Sequence, residues 1–307
     1  MKAFVFPGQG SQSPGMGKDL YENFTSAREV FDEADAALSF PLSKLCFEGR
    51  AEELRLTENT QPAVLTASIA SLRVLEGRGK RADVVAGHSL GEYSAVVCAG
   101  GMSFADAVRV VRERGRFMQE AVPVGKGAMV AVLGLEAEVV FQICEETAAA
   151  EVVSPANLNA PGQVVIAGHV AAVERASSLA QERGAQRVLR LPVSAPFHCS
   201  LMKPAQERLA AVLQRVEFRD LRVPLVNNVD AVAVTSAAEV RESLIRQVTS
   251  AVRWSESVSE LVRLGVKAAV EVGPGRVLAG LIRRIDRSIQ IQSIGTLAQV
   301  EKYVQLR

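Results

Sequence analysis

The chain reads as an α/β protein in two units, a large one organised on a parallel sheet and a small one inserted into it. Three observations carry that reading. The apolar run Val84-Val85-Ala86 leads into Gly87-His88-Ser89-Leu90-Gly91, and Glu92-Tyr93-Ser94-Ala95-Val96-Val97-Cys98-Ala99 follows as a helical stretch. Strand, Gly-x-Ser-x-Gly, helix is the layout of a nucleophile elbow, and it makes the large unit α/β-hydrolase-like. From Ala128 to about Leu191 the order is strand, helix, strand, strand, helix, strand, the βαββαβ order of a split-βαβ, ferredoxin-like unit. Near Ala195 the α/β alternation resumes. The 307 residues suffice for both units, and the expected division is 1–124 with 195–307 for the large domain and 125–194 for the small one.

In chain order, Lys2 to Phe6 is a short buried strand that runs into Pro7-Gly8-Gln9-Gly10-Ser11-Gln12. Such a glycine-rich loop brings backbone N–H groups close to a ligand. Its glycines lack the spacing of a dinucleotide fingerprint. Helical segments follow around Tyr21 to Leu38 and Thr60 to Leu75, the second entered at Thr57 with Pro62 near the first turn. Ser103 to Gln119 has helical periodicity, with Ala107, Val108, Val111 and Phe117 on an apolar side and Ser103 as N-cap ahead of Asp106. Arg109, Arg112, Arg114 and Arg116 crowd that helix. Pro123-Val124-Gly125-Lys126-Gly127 reads as a linker. In the small unit the strands are Ala128–Leu133, Val152–Asn157, Val164–Ala167 and Arg187–Leu191, and the helices Glu136–Ala148 and Val170–Arg183. Asn159-Ala160-Pro161-Gly162 makes the turn between the middle strands. Beyond lie a helix from Ser200 to Val216, a strand at Val223–Asn227, helices at Ala238–Val248 and Ser255–Leu264, a strand at Ala268–Val272 and a helix from Gly275.

Composition narrows the function classes. A net charge of +1 gives no global reason to expect nucleic acid or an anionic membrane as partner. No apolar run approaches the roughly 18 residues that span a bilayer, and Ala3-Phe4-Val5-Phe6 is too short for a signal peptide. Cys46, Cys98, Cys144 and Cys199 are scattered without Cys-x-x-Cys spacing, which argues against a disulfide framework or zinc site and fits a reducing cytoplasm.

Serine needs a base to become a nucleophile, and the only histidines are His88, His169 and His198. His88 flanks the serine, but adjacent side chains in an elbow diverge. His169 reads as a surface turn residue. His198, in Ser194-Ala195-Pro196-Phe197-His198-Cys199-Ser200, lies where the chain re-enters the large domain, and such a loop can deliver an imidazole to the elbow. No feature singles out a carboxylate as third member; a backbone carbonyl is the alternative orienting group.

Five motifs occur in order: Phe6-Pro7-Gly8-Gln9-Gly10-Ser11-Gln12, Gly87-His88-Ser89-Leu90-Gly91-Glu92-Tyr93, Arg114-Gly115-Arg116-Phe117-Met118-Gln119, Asn159-Ala160-Pro161-Gly162-Gln163 and Ala195-Pro196-Phe197-His198. Together they resemble the malonyl-CoA:acyl-carrier-protein transacylases of bacterial fatty-acid synthesis, and the related acyltransferase domains of polyketide synthases share parts of the pattern. The resemblance implies that Ser89 attacks the malonyl thioester and His198 handles its proton. It implies that the backbone N–H groups of Gln9 and Leu90 form the oxyanion hole, and that Gln247 orients the histidine through its backbone carbonyl. Arg114 would clamp the malonyl carboxylate, with Met118 in the same substrate-binding run. Phe197 matches the malonyl-selecting form of its loop, where a bulky ring leaves no room for a methyl branch.

A ping-pong route through a malonyl-serine follows, with no cofactor and no metal. The implied partners are malonyl-CoA or CoA and an acidic acyl carrier protein, which Arg283, Arg284 and Arg287 would dock. The chain is expected to be a cytoplasmic monomer. Two other readings use the same residues: a serine esterase or thioesterase, which needs no acid-binding arginine, and a non-catalytic acyl-binding protein, which intact Ser89 and His198 oppose.

Overall fold

The computed structural model describes residues 1–305 apart from Ser194, so the boundary residue of the expected small domain and the last two residues of the chain lie outside the described residues. The chain opens with β1 (Lys2–Phe6) and the helices α1 (Lys18–Asn23), α2 (Thr25–Leu38), α3 (Leu42–Glu48), α4 (Ala51–Leu54) and α5 (Thr57–Gly77). The single helix expected over 21–38 is two, because Phe24 adopts extended backbone between them. Helix α5 begins a turn before Thr60, so Pro62 lies inside it. The elbow strand β2 (Val84–Gly87) precedes α6 (Gly91–Ala99) and α7 (Phe104–Glu120). Ser103 caps α7 by accepting from the Asp106 N–H at 3.1 Å, which satisfies one of the helix's free donors.

The smaller sheet follows as β3 (Gly127–Leu133), α8 (Ala137–Ala148), β4 (Val153–Ala160), β5 (Gln163–His169), α9 (Val170–Glu182) and β6 (Arg187–Arg190). After a short 3₁₀ turn come α10 (Lys203–Leu213), β7 (Leu225–Val226), β8 (Ala233–Val234), α11 (Ala237–Gln247), α12 (Trp254–Arg263), β9 (Ala268–Val272), α13 (Val277–Ile285), β10 (Gln290–Ile294) and α14 (Leu297–Gln305). The sequence reading did not delimit α3, α4, β8, β10 or α14; of these, α4 and β8 are only four and two residues long.

The large sheet runs β10-β9-β1-β2-β7-β8 and is parallel except at its edge, where the two-residue β8 returns antiparallel on β7. The parallel sheet expected is present, with this one antiparallel pair at its edge, where Asn227 N–H bonds Val232 O and folds the chain straight back. Both faces are covered. Phe4, Phe6, Val85, Val270 and Val272 enter a core with α2, α5, α6 and α7, while Ala3, Val5, Val84, Ala86 and Ala269 enter a second core with α12 and α13. A strand buried on both faces must be apolar at every position, which is why β1 and β2 read as continuous apolar runs.

The small sheet is antiparallel, in the order β4-β5-β3-β6. Alternation along β3 sends Ala128, Val130 and Val132 toward α8 and α9. Met129 and Ala131 point the other way and join the core of the large sheet. A polar seam reinforces this contact: Leu158 N–H bonds Val252 O and Val252 N–H bonds Ala156 O, both at 2.9 Å. The small sheet therefore roofs the end of the large one where the elbow emerges. No helix among the described residues is long and apolar enough to cross a membrane.

Candidate active site

The elbow can turn this tightly because its flanking residues carry no side chain. A Cβ on Gly87 would lie 2.0 Å from the Gly91 carbonyl carbon, and one on Gly91 would lie 2.0 Å from Phe6 O. Between them Ser89 takes φ 52°, a left-handed conformation that costs a non-glycine residue roughly 1–3 kcal/mol. Asn228, just beyond β7, holds that strain: its Oδ1 accepts the Ser89 N–H at 2.7 Å and its Nδ2 donates to Gly87 O at 2.7 Å. Leu90 is the N-cap of α6, so a helix N-terminus lies behind the hydroxyl.

His198 is delivered by the loop into α10 and also takes a left-handed backbone, φ 61°. Its Nε2 lies 2.8 Å from Ser89 Oγ and its Nδ1 2.9 Å from the backbone oxygen of Gln247. A carbonyl can only accept, so Nδ1 carries the proton and Nε2 is free to accept from the serine. Burial, with the Arg114 charge second, holds the imidazole down to about 3, so it stays neutral near pH 7.

Arg114 is only 2% exposed. It reaches the site because Gly115 lets α7 press against α5: a Cβ there would lie 2.6 Å from Thr57 O. The guanidinium donates to Gln61 Oε1 at 2.7 Å, Ser89 Oγ at 3.1 Å and Gln247 Oε1 at 2.8 Å. All three acceptors are neutral. Gln247 thus works twice, since its Nε2 also donates to Glu92 Oε2 at 2.8 Å and Ser89 O at 3.0 Å.

Above the serine is a cavity of about 100 Å³. Gln9 and Leu90 line one side of it, Met118 and Phe197 another, and Met129 and Asn157 of the small sheet close it from above. Among the described residues no hydrogen bond occupies the backbone N–H of Gln9 or of Leu90. His88 points away from the base, its Nε2 2.8 Å from Asn159 Oδ1 on β4 and its ring against Trp254. His169 ends β5 and accepts the Val152 N–H on Nδ1 at 2.9 Å. Ser89, His198, Arg114, Gln247, Gln9, Leu90, Met118 and Phe197 are thus assembled in one place.

Arg283, Arg284 and Arg287 line no part of that cavity: they are exposed on α13 and just after it. Arg284 donates to Pro161 O of the β4–β5 turn at 3.1 Å, and Arg283 to Ile291 O at 3.0 Å. The sequence reading missed Asn228, Gln61 and Glu92. Glu92 had a signal, as the lone charge in the otherwise apolar and small stretch Gly91–Ala99; Asn228 and Gln61 had none, since their partners are distant in sequence.

The acyl transferase domain family matches residues 3–302. A malonyl CoA-acyl carrier protein transacylase of Bacillus subtilis is 50% identical over 304 residues, spanning 99% of this chain and 96% of that protein. Its Escherichia coli counterpart is 53% identical over 284 residues, 92% of each chain. Among solved structures, an acyl carrier protein S-malonyltransferase of Vibrio cholerae superposes with TM-score 0.96 at 48% identity, covering 98% of this chain and 99% of that one. A malonyl-transacylase solved with its type II PKS acyl-carrier protein gives TM-score 0.97 at 46% identity, covering 100% and 99%. The chain belongs to the acyl transferase domain family, among the malonyl CoA-acyl carrier protein transacylases.

Proposed function

We propose that this protein moves a malonyl group from malonyl-CoA to the phosphopantetheine thiol of an acyl carrier protein through a malonyl ester on Ser89. One observation carries the reading: the Ser89 hydroxyl sits at once 2.8 Å from the His198 base and 3.1 Å from a buried guanidinium. A general esterase has no use for a desolvated cation beside its nucleophile. A malonyl thioester brings a carboxylate that fits one, and a guanidinium binds it bidentately.

In the first half-reaction Ser89 Oγ forms a bond to the thioester carbonyl carbon and its proton passes to His198 Nε2. The tetrahedral oxyanion is held by the N–H groups of Gln9 and Leu90, each worth roughly 3 kcal/mol in the transition state. The C–S bond breaks and His198 returns its proton to the CoA sulfur. The second half-reaction runs the same steps backwards, with the carrier's thiol as nucleophile. Thioester and ester are close in energy, so neither cofactor nor metal is required. The small sheet, with Met129 and Asn157 over the cavity, keeps water from the acyl-enzyme. Phe197 narrows the pocket against methyl-branched acyl groups, and Arg283, Arg284 and Arg287 contribute to docking the acidic carrier. The protein acts as a cytoplasmic monomer in fatty-acid synthesis.

The test is intact-protein mass after brief mixing with malonyl-CoA. A single malonyl adduct, absent in Ser89→Ala and discharged by a phosphopantetheinyl carrier, is expected. An adduct lost to water without acceptor would instead favour a thioesterase.

A further inference from the structure

Arg114 is a buried cation with no carboxylate in contact among the described residues, an arrangement that desolvation makes expensive. The nearest linked anion is Glu92, fully buried on the first turn of α6. The two are joined by one side chain: Gln247 donates from Nε2 to Glu92 Oε2 and accepts on Oε1 from Arg114. An amide oriented this way is polarised favourably by both ends. Glu92 Oε2 also accepts the Asn228 N–H at 3.0 Å, while its Oε1 is buried with no hydrogen-bond partner. The other titratable groups facing Glu92 are Asp230 beyond β7 and Arg246 on α11, which pair with each other at 2.5 Å, and the neutral Tyr93 phenol on its own helix, pushed up to about 12 by burial. His198 connects to it only through Gln247.

Resting on the function proposed above, the geometry points to Glu92 as the resident counter-ion of Arg114, which takes a proton on Oε1 when a substrate carboxylate occupies the guanidinium. Without a substrate, Glu92 balances Arg114 through the amide, and the guanidinium itself bonds only neutral acceptors. The malonyl carboxylate then brings a second anion to the same cation in a dry site, where the two anions disfavour each other. Glu92, the one that can be neutralised without losing its bonds on Oε2, takes the proton from solvent. Burial already pushes its carboxyl up to about 7, so the proton moves at little cost near neutrality. Glu92 is a positioning and charge-balancing residue; it touches no substrate.

The experiment measures proton uptake when the wild-type protein is acylated by malonyl-pantetheine, which lacks the titrating phosphate of CoA, with a pH indicator in weak buffer between pH 5.5 and 8. The adduct on Ser89 is quantified by mass in the same samples. The expected result is uptake of up to about half a proton per adduct near pH 7, where the free Glu92 carboxyl is already half protonated, fading at either end of the range. In parallel, KM for malonyl-pantetheine should rise about fivefold from pH 6 to 8, a typical coupling between linked sites. Glu92→Gln keeps an oxygen for Asn228 and Gln247 but cannot change charge, so it should show neither uptake nor the rise in KM. Adduct without uptake in the wild type overturns the inference and leaves the transacylase reading intact, as does a Glu92→Gln variant that keeps the KM rise. No adduct at all overturns that reading and this one with it. If Glu92→Gln does not fold, the wild-type uptake decides alone.

Discussion

Two arginine-bearing regions of this molecule behave in opposite ways. Arg114 on α7 is out of water, held by two glutamine side chains and the serine hydroxyl. Arg283, Arg284 and Arg287, at the end of α13, are in water, and two of them rest on backbone carbonyls. The residue type is the same, and what differs is the alternative each charge has. An exposed guanidinium exchanges a protein partner for water at almost no cost, so any one contact is worth little. A buried one has no such exchange and keeps its demand for an anion until a ligand meets it. Position on the fold, more than sequence, makes an arginine a specificity element.

The largest expected effect separates chemistry from that demand. Ser89→Ala should lower kcat by roughly 10⁴- to 10⁶-fold, while malonyl-CoA still binds, because Arg114 remains. Calorimetric titration of the variant checks this; loss of binding together with turnover would mean that the serine, and not the arginine, carries recognition.

Next comes the arginine itself. Arg114→Ala should cost roughly 10²- to 10³-fold in kcat/KM for malonyl-CoA, chiefly through KM, as for truncation of one partner of a buried charge pair. Acetyl-CoA, which brings no carboxylate, should lose its disadvantage. Arg112→Ala and Arg116→Ala on the same helix are the controls, expected within about twofold, since Arg112 stacks on Phe40 and Arg116 pairs with Glu113 at the surface. Equal losses at all three positions, measured by steady-state kinetics, would dissolve the contrast between buried and exposed charge.

The buried network should also show in stability. Glu92 has an ordinary value of 4.5 and is raised to about 7 in the fold, so the native state holds a proton that the unfolded chain gives up. Its contribution is therefore present below about 4.5 and is lost as pH rises to about 7, at up to roughly 1.4 kcal/mol per pH unit. His198 has the opposite sign. Its value falls from 6.5 to about 3, so its contribution is present above 6.5 and lost as pH falls. Between 4.5 and 6.5 the two slopes oppose each other. Urea unfolding of wild type and Glu92→Gln should diverge across that range, the variant alone losing stability as the solution is acidified. Parallel curves would count against a native-state proton on Glu92.

The elbow was legible because everything that makes it is local: two glycines, a serine between them, an apolar strand before and a helix after. The βαββαβ order of the small sheet was legible for the same reason, with each element long enough to show its period. Arg114 was harder. Spacing did not separate it from Arg112, which follows the buried Val108 by four residues as Arg114 follows the buried Val111 by three; only the family resemblance singled it out, and only the fold shows it buried. Gln247, known only through the family resemblance, gives no local sign that its side chain and its backbone oxygen are both used. Asn228 bonds an elbow 139 residues away, and nothing in Asn227-Asn228 announces that. The antiparallel β8 is two residues long, too short for any pattern.

The smallest effect is expected where the charges are exposed. Replacing Arg283 and Arg284 together by Glu should raise KM for an acidic carrier protein by a few-fold at low salt, about 1 kcal/mol, and the difference should fade as ionic strength screens the surface. The kcat with malonyl-CoA and a small thiol acceptor should not change, because neither residue lines the cavity. Arg284 complicates a simple docking reading, since its bond to Pro161 O ties α13 to the small sheet. Arg284→Gln isolates that term: it removes the charge while an amide N–H can still reach the carbonyl. If Arg284→Gln weakens the carrier as much as the double reversal and with the same salt dependence, the charge docks the carrier. If it behaves like wild type and the double variant shows no salt dependence, the cluster only braces the small sheet, and carrier recognition belongs to another face of the cleft.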